Sequence, residues 1–117
     1  MARYEHLPLF KDIYRFNLYF FRLSKNFGKD YKYGLGQEVR SLATELLDEI
    51  VQANCHVNKR PFLEEAELII ERMKLKLRLL NDLGIINIKS YNFIFCSLRN
   101  ISKQVTAWKN WSDKGQE

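Results

Sequence analysis

The residue types that carry most protein chemistry are scarce in this chain. His6 and His56 are the only histidines, and Cys55 and Cys96 the only cysteines, in 117 residues. The neighbours Cys55 and His56 supply two ligands, and a tetrahedral zinc site needs four, so they would require distant help. The two cysteines are too far apart for a Cys-x-x-Cys pair and too few for a disulfide scaffold, so they read as reduced, partly buried thiols. Glu64, Glu65 and Glu67 could suggest a carboxylate metal site, but no Glu-x-x-His accompanies them. Gly34-Leu-Gly36 lacks the rest of a phosphate-cradling loop. No Ser or Cys has the sequence surroundings of an activated nucleophile. The expectation is a binding protein without enzymatic activity, metal or cofactor.

The chemistry that remains is charge. The net charge is +5, and it is unevenly spread. Residues 1–40 hold eight bases and four acids, residues 41–71 two and seven, and residues 72–117 nine and three. Lys11, Arg15, Arg22 and Lys25 recur at helical spacing along one line, which reads as an acid-free cationic stripe. Such a stripe points to a polyanion. Tyr31 and Tyr33 flank Lys32, an arrangement that either stacks on unpaired bases or packs its loop onto the body of the protein.

Helices must position these groups. Apolar periodicity and breakers predict four, at about 7–25, 35–55, 61–83 and 88–111. Pro8 and Pro61 suit the first position of a helix. Glu64, Glu65 and Glu67 fall in the first two turns of the third helix and complement its dipole. Leu83-Gly84 reads as a glycine C-cap, and Asn87 or Ser90 as the next N-cap. The glycine-containing segment 26–36 reads as the longest loop, and 112–117 as a frayed tail. The core stripes are Val39, Leu42, Leu46, Ile50 and Ala53, then Phe62, Ala66, Ile69, Met73, Leu77 and Leu80. The last helix contributes Tyr91, Ile94, Leu98, Ile101, Val105 and Trp108.

Short connections then predict one all-α domain, an antiparallel up-down-up-down four-helix bundle. In it, Arg22, Lys25, Lys29, Lys32, Arg40, Arg72, Lys74, Lys76, Arg78 and Lys89 gather at one pole. Glu45, Asp48, Glu49, Glu64, Glu65, Glu67 and Glu71 gather at the other.

Apolar residues exceed what one core needs. The apolar arc of the first helix, which includes Tyr14 and Phe21, covers over half its circumference, whereas a core-facing stripe needs about 100° or slightly more. Leu68, Leu75 and Leu79 form a second row on the third helix. Either the core is broad with apolar residues scattered over the surface, or, the reading favoured here, these positions are the contacts of a ring-like homo-oligomer. The N-terminal stretch Met1–His6 is polar, without a signal-peptide pattern, and no apolar run is long enough to span a membrane. The cytoplasm is the expected location.

Several segments carry a resemblance. Lys29-Asp-Tyr-Lys-Tyr-Gly-Leu-Gly36 leads into a helix marked by Val39, Leu42, Leu46 and Leu47. Leu63-Glu-Glu-Ala66 opens the third helix, Leu75-Lys-Leu-Arg-Leu-Leu80 is its basic run, and Trp108 lies near the end of the fourth. From about Leu7 to Trp111 the chain resembles the accessory variability determinant (Avd) proteins of diversity-generating retroelements. Related bundles are encoded in intervening sequences of bacterial 23S ribosomal RNA genes. The chain departs from the pattern at Gly28, where proline is expected, and at Thr106-Ala107, where a glycine pair is usual. The resemblance implies a four-helix bundle assembled as a pentamer with a basic surface for RNA or DNA. It also implies partnership with a retroelement reverse transcriptase that copies template RNA into mutagenised cDNA. The alternative reading is a protein–protein scaffold related to the ribosomal intervening-sequence proteins.

Overall fold

The computed structural model describes residues 4–115. A 3₁₀ turn at Tyr4–His6 precedes α1 (Pro8–Ser24), α2 (Lys29–Lys32), α3 (Leu35–Cys55), α4 (Arg60–Asp82) and α5 (Ile88–Gly115). Among the described residues there is no strand. α1, α3, α4 and α5 are the long helices. α1 packs on α3 and α5, and α4 packs on the same two, so α1 and α4 occupy diagonal corners of the bundle. The molecule measures 49 × 20 × 20 Å.

The spacing of apolar residues explains this packing. Val39, Leu46, Ile50, Ala66, Met73, Leu80, Ile94, Leu98, Ile101 and Val105 are fully excluded from solvent. Each large aliphatic side chain so buried contributes roughly 1.5–3 kcal/mol. Phe62, Tyr91 and Trp108 sit at the edges of their stripes, partly buried against the same core. The apolar arc of α1 divides. Leu9, Ile13, Phe16 and Phe20 face the core, while Tyr14, Leu18 and Phe21 are left at the surface.

One polar side chain is buried among them. Asn17 Nδ2 donates to the carbonyls of Ile13 (3.0 Å) and Ala43 (3.0 Å), tying α1 to α3, and its Oδ1 has no partner. Gly84 ends α4 at φ 76°, a left-handed conformation, and the Ile85 N–H closes the cap on the Leu80 carbonyl (2.9 Å). The Asn87 Oδ1 accepts from the Ser90 N–H (2.8 Å), so Asn87 is the N-cap of α5.

The structure corrects several expectations. The long loop contains a helical turn, α2, whose Tyr31 packs on the core. Gly36 lies under that turn, where a Cβ would come within 2.7 Å of the Tyr31 carbonyl. Gly28 has φ −57°, a value proline also adopts. α4 begins at Arg60, which moves Pro61 to the second helical position. α5 runs on to Gly115 instead of fraying after Trp111. There Ser112 is buried, and Asp113 pairs with Arg60 of α4. Gln116 and Glu117 of the expected tail lie outside the described residues. Cys55 and Cys96 are both exposed, because neither falls on its helix's core stripe.

Candidate nucleic-acid interface

The antiparallel packing brings the ends of α1 and α4 and the starts of α3 and α5 together. A cross-helix ion pair from Lys76 on α4 to Glu38 on α3 (2.9 Å) fixes that register. The ring contact between Tyr19 on α1 and Phe93 on α5 (4.7 Å) does the same on the other side. The cations expected to bind are not equivalent, and Lys11, in the first turn of α1, lies at the other end of the bundle.

Lys11, Arg22, Lys25, Lys29, Arg72, Arg78 and Lys89 are exposed, and no ion pair holds them among the described residues. Arg15 is exposed but sits 3.6 Å from Asp12, so the α1 stripe is not free of acid. Asp12 in turn accepts from Asn100 (3.2 Å) and Gln104 (2.7 Å) of α5, and is held at the edge of the stripe by that cross-helix contact. Lys74 pairs with Glu71 at 3.2 Å. Lys32 is half-buried, with its ammonium 5.6 Å from the centre of the Tyr33 ring.

Arg40 has a different task. Its guanidinium donates to the Ser24 Oγ (2.8 Å), the Lys32 carbonyl (2.7 Å) and the Gln37 Oε1 (3.3 Å), and lies 5.9 Å from the centre of the Phe21 ring. It clamps α2 against α1 and α3 and is committed to that contact.

The structure also shows cations that grouping by pole overlooks. Arg99 and Lys103 lie in the middle of α5 and are exposed. With Lys74 they line a shallow groove between α4 and α5 that also presents Ser102, Thr106 and Asn110. The sequence signal is the absence of any Asp or Glu from Ile88 through Ser112.

Most of the acids occupy the opposite pole, although Asp30, Glu38 and Asp82 lie among the cations. Glu49 Oε2 is buried without a hydrogen-bond partner. Desolvation, then the neighbouring charges of Glu65, Asp48 and Glu45, push its carboxyl above the ordinary carboxylate value. Glu67 shows the reverse. Partial burial acts to raise it, but hydrogen bonds from Lys109 (2.8 Å) and Thr106 (2.9 Å), with the charges of Lys109 and Arg60, bring it below its ordinary value.

The signs follow. Glu49 binds its proton more tightly folded than unfolded, so stability falls as pH rises from its ordinary value through its raised folded one. Glu67 contributes stability that is present above its ordinary value and lost as pH falls through its lowered one. Glu49→Gln is therefore expected to unfold at a higher denaturant concentration than the parent at pH 7, with the gap closing as the buffer is acidified through the carboxylate range. A gap that is constant with pH would show that ionisation of Glu49 is not the cause.

The candidate oligomer contacts are all at the surface. Tyr14 and Phe21 on α1, and Leu68, Leu75 and Leu79 on α4, are each over 40% exposed. Among the described residues no group of His, Cys, Asp and Glu could hold a metal ion, and no helix is long and apolar enough to cross a membrane. No curated protein matches the chain. Among known families, the model described as bAvd-like matches residues 9–112, all four long helices included, and the chain belongs to the bAvd-like family.

Proposed function

We propose that this protein is a non-catalytic accessory subunit that binds nucleic acid through its phosphates and serves a retroelement reverse transcriptase in the cytoplasm. There it would help to copy template RNA into mutagenised cDNA, with the chemistry residing in the transcriptase. The observation that carries the reading is the segregation of charge in a bAvd-like bundle. Exposed, unpaired cations (Arg22, Lys25, Lys29, Arg72, Arg78) gather toward one pole, and most carboxylates lie toward the other, where burial first and the charges of Glu65, Asp48 and Glu45 second raise the Glu49 carboxyl. A solvated face normally balances the two signs, whereas a pole whose cations outnumber its acids (Asp30, Glu38 and Asp82) concentrates a polyanion. The exposed apolar rows on α1 and α4 support a ring-like homo-oligomer, a pentamer by resemblance. A ring repeats the cationic pole in each subunit and raises affinity for a long polyanion without any new contact.

Phosphate contacts carry no base information, so binding is expected to show little sequence preference. It is also expected to weaken steeply with salt, by about 0.7 to 0.9 in the logarithmic slope for each phosphate neutralised. The test is an anisotropy titration of labelled RNA and DNA at two salt concentrations. Arg22→Glu with Lys25→Glu is expected to lower affinity by about tenfold or more at low salt and to reduce the slope by about two. Both side chains are exposed, so helicity and assembly are expected to be unchanged. No binding by the parent at low salt would move the reading to a protein–protein scaffold whose basic pole meets an acidic partner.

A further inference from the structure

The outward face of α5 carries, away from the cationic pole, a second set of cations in line with aromatic rings. Arg99 belongs to two adjoining hollows. One is the groove it shares with Lys74 and Lys103. The other is lined by Tyr91, Asn92, Phe95 and Cys96. The Tyr91 and Phe95 rings lie 5.7 Å apart at 45°; Tyr91 is partly buried against the core, and Phe95 keeps 37% of its surface exposed.

No carboxylate lies on α5 before Asp113. The acids that approach from α4 are already held, Glu71 by Lys74 and Glu67 by Lys109 and Thr106. Along one helix face the order is therefore aromatic pair, guanidinium, ammonium, amide. Cations spaced this way track phosphates. The exposed ring offers a flat face that a base reaches only when it is not stacked in a duplex.

We infer that the α5 face from Tyr91 to Asn110 is a binding track for single-stranded nucleic acid, with Arg99 and Lys103 on successive phosphates and Phe95 stacked on an unpaired base. This rests on the nucleic-acid reading proposed above and assigns it a strand state and a second surface. The cationic pole has exposed rings of its own, Tyr33 and Phe93, but its larger set of unpaired cations holds duplex and single strand alike through phosphates. The α5 track adds affinity only for the single strand.

The experiment compares the full chain and its variants on a labelled 20-nucleotide single strand, as RNA and as DNA, and on a duplex of the same length. The parent is expected to bind the single strand more tightly at equal salt. Arg99→Glu with Lys103→Glu is expected to lower single-strand affinity at least tenfold and to leave duplex affinity within about twofold. Phe95→Ala is expected to lower single-strand affinity about five- to a hundredfold, the value of one stacked base. Circular dichroism and the unfolding midpoint of each variant show that it is folded, and Phe95→Leu, which keeps apolar bulk without a ring, separates stacking from packing. If Phe95→Leu binds single strands like the parent, or if Arg99→Glu with Lys103→Glu does, the track is overturned while the cationic pole stands. If both substrates bind equally to the parent, strand selection is overturned. If the parent binds neither, the proposed function falls with it.

Discussion

Leu75→Lys together with Leu79→Lys is expected to leave the protein monomeric at micromolar concentration, with its helical circular dichroism and unfolding midpoint unchanged. Leu75 is 63% exposed and Leu79 45%, so neither contributes much to the bundle's own core. On the proposed reading both are buried in the assembly, where each would be worth roughly 1.5–3 kcal/mol of transferred apolar surface. Lysines there would in addition be buried without a counter-ion. Each subunit of a ring has two such contacts, so the effect on assembly is far larger than on folding.

The position of the rows strengthens the expectation. The α4 row lies across the diagonal from Tyr14, Leu18 and Phe21 of α1. Two rows on opposite corners do not form one self-complementary patch, but they can meet head to tail, and such contacts close into rings. Light scattering coupled to size-exclusion chromatography decides the matter. A monomeric parent, or a variant that assembles like the parent, would overturn it.

Phe20→Ala should have the largest effect on folding. Phe20 is fully buried, stacked on Phe16 of the next turn (6.2 Å) and edge-on to Phe27 (6.1 Å) in the connection beyond α1. Removing the ring leaves a cavity that the four helices cannot all close at once. The expected loss is about 3–5 kcal/mol, a large part of the stability of a domain of this size. Phe27 loses its support in the same step, so the Arg40 clamp over α2 should loosen early in the unfolding transition. The neighbouring Phe21→Ala provides the control. Phe21 is 43% exposed, so its loss should affect bundle stability little and assembly more. Equal shifts in the denaturant midpoint of the two variants would refute this assignment of the core.

Much of the bundle was legible because burial follows spacing. Ile94, Leu98, Ile101 and Val105 alternate by four and three residues, and only one face of α5 satisfies that pattern. What was not legible depends on partners distant in sequence. Nothing local marks Asp113 as helical; its partner Arg60 lies more than fifty residues earlier. The same holds for the cations. Arg40 and Lys76 look like Arg22 and Lys25 in sequence, yet the fold turns the first into a loop clamp and the second into a partner of Glu38. An i, i+4 line through Lys11 and Arg15 passes beside Asp12, while in space Asp12 sits against Arg15. Arg99 and Lys103 lie far from either end of their helix, and a search for poles passes over them.

The amide of Asn17 has a consequence for how the bundle can move. Its Nδ2 reaches a carbonyl on its own helix and another on α3, so it acts as an index peg between the two rods. Sliding α1 along α3 by one helical turn, about 5.4 Å, would bring the peg from the small Ala43 to the level of Val39 or Leu46, whose larger side chains crowd the carbonyls there. A buried polar group left unsatisfied in this way costs about 1–3 kcal/mol. The aliphatic stripes on either side are far more tolerant of slippage, since one leucine resembles the next. Asn17 therefore gives up some stability, with its Oδ1 unmatched even in the native position, and fixes α1 at a single setting. Whatever docks across α1 and α3 meets two helices that tilt or rotate together but do not readily ratchet past one another.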